Sequence, residues 1–146
     1  MSGAAETGSV VIERVFPHAP AKVWRALTDG DLMARWLMPN DFRPEVGHRF
    51  TFRGQPAGRW DGIVDCEVLE IEPLKRLVIR WSVGAGAPGQ LVTTIVYTLA
   101  SEGDGARLRL VQSGFTPEQE NNRRGAEFGL ARMLDNLAAL LPEIAP

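Results

Sequence analysis

Two histidines, one cysteine and a short acidic run are the residues from which catalysis or metal binding in this chain would have to be built. His18 sits beside Pro17 and His48 opens a strand-like segment, with no second Cys or His at ligand spacing from either, so turn or surface histidines explain them better than a metal site. Cys66 stands among valines with no base paired to it locally and reads as a small buried hydrophobe rather than a nucleophile. Asp61, Asp65 and Glu67 share one face of a strand, as an acid–base cluster would; Arg80 falls on that same face of the next strand, and cross-strand ion pairs account for the set. Arg107 and Arg109 read likewise as an outer face and not as a phosphate site. Gly84-Ala85-Gly86-Ala87-Pro88-Gly89 matches the dinucleotide-binding fingerprint letter for letter, but that fingerprint must open a helix, and residues 90–99 read as another strand. A hairpin loop is the expectation, and neither cofactor nor metal is expected.

The aromatic residues say more. Trp36, Phe50, Phe52, Trp60, Trp81 and Tyr97 all fall in phases that turn them to one side, and Thr93 (in phase with Ile95) and Gln112 (in phase with Leu108 and Leu110) add polar points among them. Apolar walls with a few placed polar groups describe a small-ligand pocket; a large aromatic core would give the same pattern, and the phases alone fit both.

These side chains need a partner surface, and residues 116–141 supply it. Thr116-Pro117-Glu118-Gln119 is a helix start, with a hydroxyl for an orphan N–H, a proline for the first turn and a Gln that bonds back. Ala126, Leu130, Met133, Leu134, Leu137, Ala138 and Leu141 then recur at steps of three and four, charged residues fill most other positions, and Pro142 ends the run. Leu130, Met133 and Leu137 would form the helical wall of any cavity. Upstream, residues 9–16 form a β-branched strand ended by Pro17. Residues 20–28 form a short helix broken at Asp29-Gly30, and Asp31 caps a second through Leu32, Met33, Trp36 and Leu37. Between Gly47 and Ser113 the period changes to two, giving an antiparallel meander of about five strands: 48–53, 60–71 (Trp60, Val64, Cys66 and Val68 on one face, Ile63 out of phase), then runs through Leu77, Ile95 and Leu108. The sheet has one apolar and one largely polar face, so it is covered on one side.

A chain of 146 residues, 45% hydrophobic and 23% charged, is one domain, with its core over about residues 10–141. A net charge of −2 offers no broad attraction to nucleic acid or anionic lipid, so neither nucleic acid nor membrane is expected as a partner. One cysteine suits a reducing compartment and the first nine residues carry no apolar signal, so the cytoplasm is the expected location.

Pro20-Ala21-Lys22-Val23-Trp24-Arg25-Ala26-Leu27-Thr28-Asp29 after the opening strand, Ala34-Arg35-Trp36-Leu37, Cys66-Glu67-Val68-Leu69-Glu70-Ile71-Glu72-Pro73 with Arg76-Leu77-Val78-Ile79-Arg80-Trp81, and Leu108-Arg109-Leu110-Val111-Gln112-Ser113-Gly114-Phe115 together resemble the AHSA1-like branch of the START/Bet v 1-like (SRPBCC) superfamily. The branch is named for a domain of the activator of Hsp90 ATPase. The resemblance runs from about Val10 to Leu141, with Cys66 where glycine is common and Gln112 where many members carry a histidine. It implies an α+β helix-grip fold: a curved antiparallel sheet of about six strands wrapped around the long C-terminal helix, with two short helices after the first strand and a cavity that in relatives takes lipids, sterols or polyketides.

Three functions follow in order of expectation. The first is binding of a small, mostly apolar ligand by Trp36, Phe50, Phe52, Trp60, Trp81, Thr93, Tyr97, Gln112, Leu130, Met133 and Leu137, as a monomer or homodimer. The second is a cyclase- or hydrolase-like enzyme, for which Tyr97, Thr93 and Gln112 are poor proton carriers near neutral pH; no catalytic residue is assigned. The third is Hsp90 co-chaperone activity, which ranks last because the first strand begins by about Val10, leaving no room for a preceding module to add avidity.

Overall fold

The computed structural model describes residues 8–58, 60–84 and 90–144. Its scaffold is one six-stranded sheet: β1 (Ser9–Phe16), β2 (Arg49–Arg53), β3 (Ile63–Glu72), β4 (Arg76–Val83), β5 (Leu91–Glu102) and β6 (Gly105–Ser113), in the spatial order β1-β6-β5-β4-β3-β2. Every neighbouring pair is antiparallel. The last five strands are a meander, and β1 returns to pair with the last of them, Val10 opposite Gln112 and Phe16 opposite Ala106. Alternation sets the faces. Val10, Ile12, Phe50, Phe52, Val64, Cys66, Val68, Leu77, Ile79, Ile95, Tyr97, Leu99, Leu108 and Leu110 turn inward and are buried. A register shift between Val68 and Glu70 inserts one residue, so that Leu69 is exposed and Ile71, opposite Leu77, resumes the inward phase.

The link from β1 to β2 carries two short helices. α1 (Pro20–Thr28) starts on a proline and buries Val23, Ala26 and Leu27. α2 (Gly30–Trp36) buries Met33 and Trp36, whose indole N–H donates to the Ala26 carbonyl (2.9 Å) and locks the two helices together. Its cap differs from the sequence expectation. Asp29, not Asp31, accepts from the backbone N–H groups of Asp31 and Leu32 (2.9 and 3.2 Å), because the chain turns at Asp29 in extended geometry while Asp31 is already inside the first turn.

α3 (Glu120–Leu140) follows a 3-10 turn at Pro117–Gln119 and ends in another at Leu141–Glu143, where Pro142 cannot continue it. Gln119 Oε1 accepts from the Thr116 N–H (3.0 Å), and Gln119 Nε2 donates to the Gln90 carbonyl (3.2 Å), tying the helix start to the start of β5. The helix runs alongside β1: Arg123 reaches the Ser9 carbonyl (3.5 Å) and, three turns on, Asp135 lies 3.9 Å from Arg14. Leu130, Leu134, Leu137, Leu140 and Leu141 form its buried stripe. Ala138, expected on that stripe, is exposed, since its position has rotated past the edge of the contact with the sheet.

Three strand boundaries also differ from expectation. β3 begins at Ile63 and not at Trp60: Gly62 turns the chain with φ +86° and the Asp61 carboxylate accepts from the Ile63 N–H (3.0 Å), which leaves Trp60 in a turn before the strand. β2 begins at Arg49, one residue after His48, and β5 runs on to Glu102, because a two-residue turn at Gly103-Asp104 joins it directly to β6. On the outer face Arg80 pairs with Glu67, and Arg107 bridges Glu13 (2.7 Å) and Glu102 (3.1 Å), as cross-strand pairing requires. That face is less uniformly polar than alternation suggests, with Val11, Val15, Leu69 and Val92 exposed on it.

Candidate functional site

The concave side of the sheet and α3 do not close on each other completely. Between them lies a cavity of about 540 Å³. Its sheet wall is Val64, Trp81, Val83, Leu91, Thr93 and Gln112, with Phe115 just after β6. Met38, Gly54, Gln55 and Trp60 close one side, and Asn122, Gly125, Ala126, Gly129, Leu130 and Met133 of α3 form the other. Gln55, Asn122 and Gly125 are exposed and mark the mouth, while Val64, Thr93, Gln112, Phe115 and Leu130 are buried and make the floor.

Six of the residues expected from sequence meet here: Trp60, Trp81, Thr93, Gln112, Leu130 and Met133. The other five lie in packed core. Trp36 is 2% exposed and spends its indole N–H on Ala26. Phe50 and Phe52 stand edge-on to each other (centroids 5.3 Å) and continue into Phe42 on one side and Trp81 on the other, so they support the Trp81 wall from behind. Tyr97 and Leu137 are buried at 2% and 0%. Burial pushes the Tyr97 phenol well above its ordinary range, so it stays protonated at neutral pH. Burial, with the charges of Asp65 and Asp41 adding to it, does the same to the Cys66 side chain, which favours the thiol over the thiolate.

The flank of α3 that faces the cavity is separate from the one that holds the fold. Asn122, Gly125, Gly129 and Met133 succeed one another at steps of three and four residues, with Ala126 beside them, forming a second stripe next to the leucine stripe. A β-carbon built on Gly125 or Gly129 would meet nothing within 4 Å. These glycines therefore do not serve close helix–sheet contact; they widen the space beside the helix. The sequence carried that signal, since two glycines one turn apart inside an amphipathic helix call for a packing or functional reason.

The polar pair on the floor is ordered. The Thr93 hydroxyl donates to the Trp81 carbonyl (3.0 Å), and Gln112 Nε2 donates to Thr93 Oγ1 (2.9 Å). Among the described lining residues none is charged, and among the described residues no cluster of His, Cys, Asp and Glu could hold a metal ion. The glycine-rich run lies between β4 and β5 and leads into a strand; its residues 85–89 lie outside the described residues. No described helix is long and apolar enough to cross a membrane.

The family described as Activator of Hsp90 ATPase homolog 1-like protein matches residues 17–142. The protein MLL2253 from Mesorhizobium loti is 40% identical over 94% of this chain and 99% of its own, with a TM-score of 0.84. The chain belongs to this family. Two further solved structures resemble the chain at lower identity. DynU16, a protein in the dynemicin biosynthetic locus, is 23% identical with a TM-score of 0.77; the likeness covers 92% of this chain but 47% of DynU16. CalU16 from Micromonospora echinospora is 23% identical, covering 91% of this chain and 75% of its own, with a TM-score of 0.75. At those identities the likeness is one of fold, the helix-grip arrangement of a curved sheet around a C-terminal helix. No protein of curated function matches the chain.

Proposed function

We infer that this protein binds one small, mostly apolar molecule between the sheet and α3. The observation that carries the reading is the cavity itself: its volume of about 540 Å³ lies inside the range of roughly 300–1,000 Å³ usual for small-molecule pockets. Its walls are apolar and its floor holds two placed polar groups. Membership of DynU16 in the dynemicin biosynthetic locus accords with small-molecule work on this fold. Trp60, Trp81, Thr93, Gln112, Leu130 and Met133 form the contact surface, and Phe50, Phe52, Trp36, Tyr97 and Leu137 hold that surface in place. Binding is favoured over turnover because Thr93 and Gln112, the buried polar residues of the floor, do not exchange protons near neutral pH.

The test uses the tryptophans. Trp60 and Trp81 line the cavity, whereas Trp24 and Trp36 do not. A panel of sterols, flavonoids, polyketides and fatty acids should yield saturable changes in emission that survive Trp24→Phe and shrink in Trp60→Phe or Trp81→Phe. A panel that leaves emission and amide NMR shifts unchanged, with a purified protein whose native mass spectrum shows no bound molecule, would overturn the reading.

A further inference from the structure

Gln112 is 3% exposed, and among the described residues its amide makes one hydrogen bond. Its nitrogen donates to Thr93 Oγ1, while its oxygen has no partner among the described residues. The neighbour favours this orientation. With the one hydrogen of the Thr93 hydroxyl on the Trp81 carbonyl, Thr93 Oγ1 accepts from the amide and both hydrogen bonds form. Turning the Gln112 amide over would leave that single hydrogen to serve either the Gln112 oxygen or the Trp81 carbonyl, and one of the two bonds would be lost. Gln112 therefore presents a carbonyl-type acceptor at the floor of the cavity, whose other described polar side chains are Thr93 beside it and Gln55 and Asn122 at the mouth. A carbonyl oxygen open to such a cavity gains a hydrogen bond from any donor seated against it, and a ligand without a donor displaces its solvent without replacing that bond.

Resting on the binding reading above, we propose that the cavity selects a neutral ligand that carries a hydroxyl or N–H donor on an apolar body, with the donor seated on Gln112 Oε1 and Thr93 acting as the positioning residue that fixes the amide. An ionised carboxylate is disfavoured, because it would bring negative charge against that oxygen with no cation among the described lining residues to compensate. A purely hydrocarbon or fully etherified ligand fits the walls but leaves the acceptor unmet.

A matched series tests this: 2-naphthol, 2-methoxynaphthalene and 2-naphthoate share one apolar body and differ in the group offered to Gln112. Titrations followed by Trp emission and calorimetry should place 2-naphthol ahead of the ether by about 2- to 13-fold, the factor that one hydrogen bond contributes, with the carboxylate weakest. Gln112→Leu and the less disruptive Gln112→Met should abolish that preference while leaving the ether bound as before. Thr93→Val should erase most of it, and Thr93→Ser, which restores the hydroxyl, should retain it. The wild-type series needs no variant to fold. If ether and naphthol bind equally, or the carboxylate binds best, the proposal fails and the apolar-cavity reading stands; if none of the three, nor any member of the wider panel, binds, both fail.

Discussion

Replacing Gly129 in α3 tests whether the helix flank beside the cavity is open space. A glycine in a helix interior costs about 0.8–1 kcal/mol relative to alanine, chiefly through backbone entropy. At Gly129 nothing offsets a gain from substitution: the added β-carbon meets no atom within 4 Å, and the residue lies inside α3 with no left-handed φ to strain it. Gly129→Ala should thus stabilise the protein by about 0.5–1 kcal/mol. In urea, where domains of this size have slopes of roughly 1–3 kcal/mol per molar, that is a rise in midpoint of a few tenths of a molar. Adding Gly125→Ala, which is equally unobstructed, should bring the total to about 1–2 kcal/mol. The same flank should respond oppositely in binding. Gly129→Phe projects a ring into the cavity and should weaken an apolar probe by at least about tenfold, or 1.4 kcal/mol, without unfolding the chain. A Gly129→Ala variant that melts earlier than wild type would refute the argument, since the flank would then be packed; so would a Gly129→Phe variant with unchanged probe affinity.

Leu137 is fully buried in the leucine stripe and does not line the cavity, so Leu137→Ala should cost about 2–5 kcal/mol in denaturant melts. The Glu120 carboxyl is held down to about 2, chiefly by its hydrogen bonds to the Arg123 guanidinium and with help from Arg124. A depressed carboxylate stabilises the fold above its ordinary value near 4.5, and the effect is lost as pH falls from there through about 2. A carbon-detected NMR titration should place its midpoint near that lower value and see it move up toward 4.5 in Arg123→Met. Because burial holds Cys66 as the thiol, iodoacetamide at neutral pH should alkylate the native protein far more slowly than the urea-unfolded chain; comparable rates would show that the floor of the sheet opens readily.

The period of two in the strands and the three-and-four spacing of the last helix are what made the fold legible. A sheet covered on one face must alternate, and Leu77, Ile79 and Trp81 or Ile95, Tyr97 and Leu99 are apolar at every inward step, although Val78 and Val96 are apolar between them. The same logic reached the inner face of the site, because phase decides the side of the sheet to which Thr93 or Gln112 points. It did not separate cavity wall from core, since phase carries no information about distance from the helix. Phe52 and Trp81 share a face and touch, yet only Trp81 borders the cavity, because α3 runs along β1 and stands off from the middle strands. Met38 and Gln55 contribute from loops, where no periodicity exists to read, and Asn122 and the glycines of α3 belong to a stripe that hydrophobicity does not mark. The Trp60 boundary and the Asp29 cap went astray for a local reason: each depends on which of two nearby turn-forming residues the chain uses, and tertiary context makes that choice.

The two stripes of α3 also bear on how such a protein can change over generations. The leucines that anchor the helix, Leu130, Leu134, Leu137, Leu140 and Leu141, occupy one flank, and the other described helix residues that line the cavity occupy another, with Leu130 common to both. Substitutions at Asn122, Gly125, Ala126 or Gly129 can therefore redraw the pocket at small cost in stability, while the anchoring leucines tolerate little. A lineage built this way can explore new ligands by drift along one side of a single helix, with the selection that preserves folding acting almost wholly on the other.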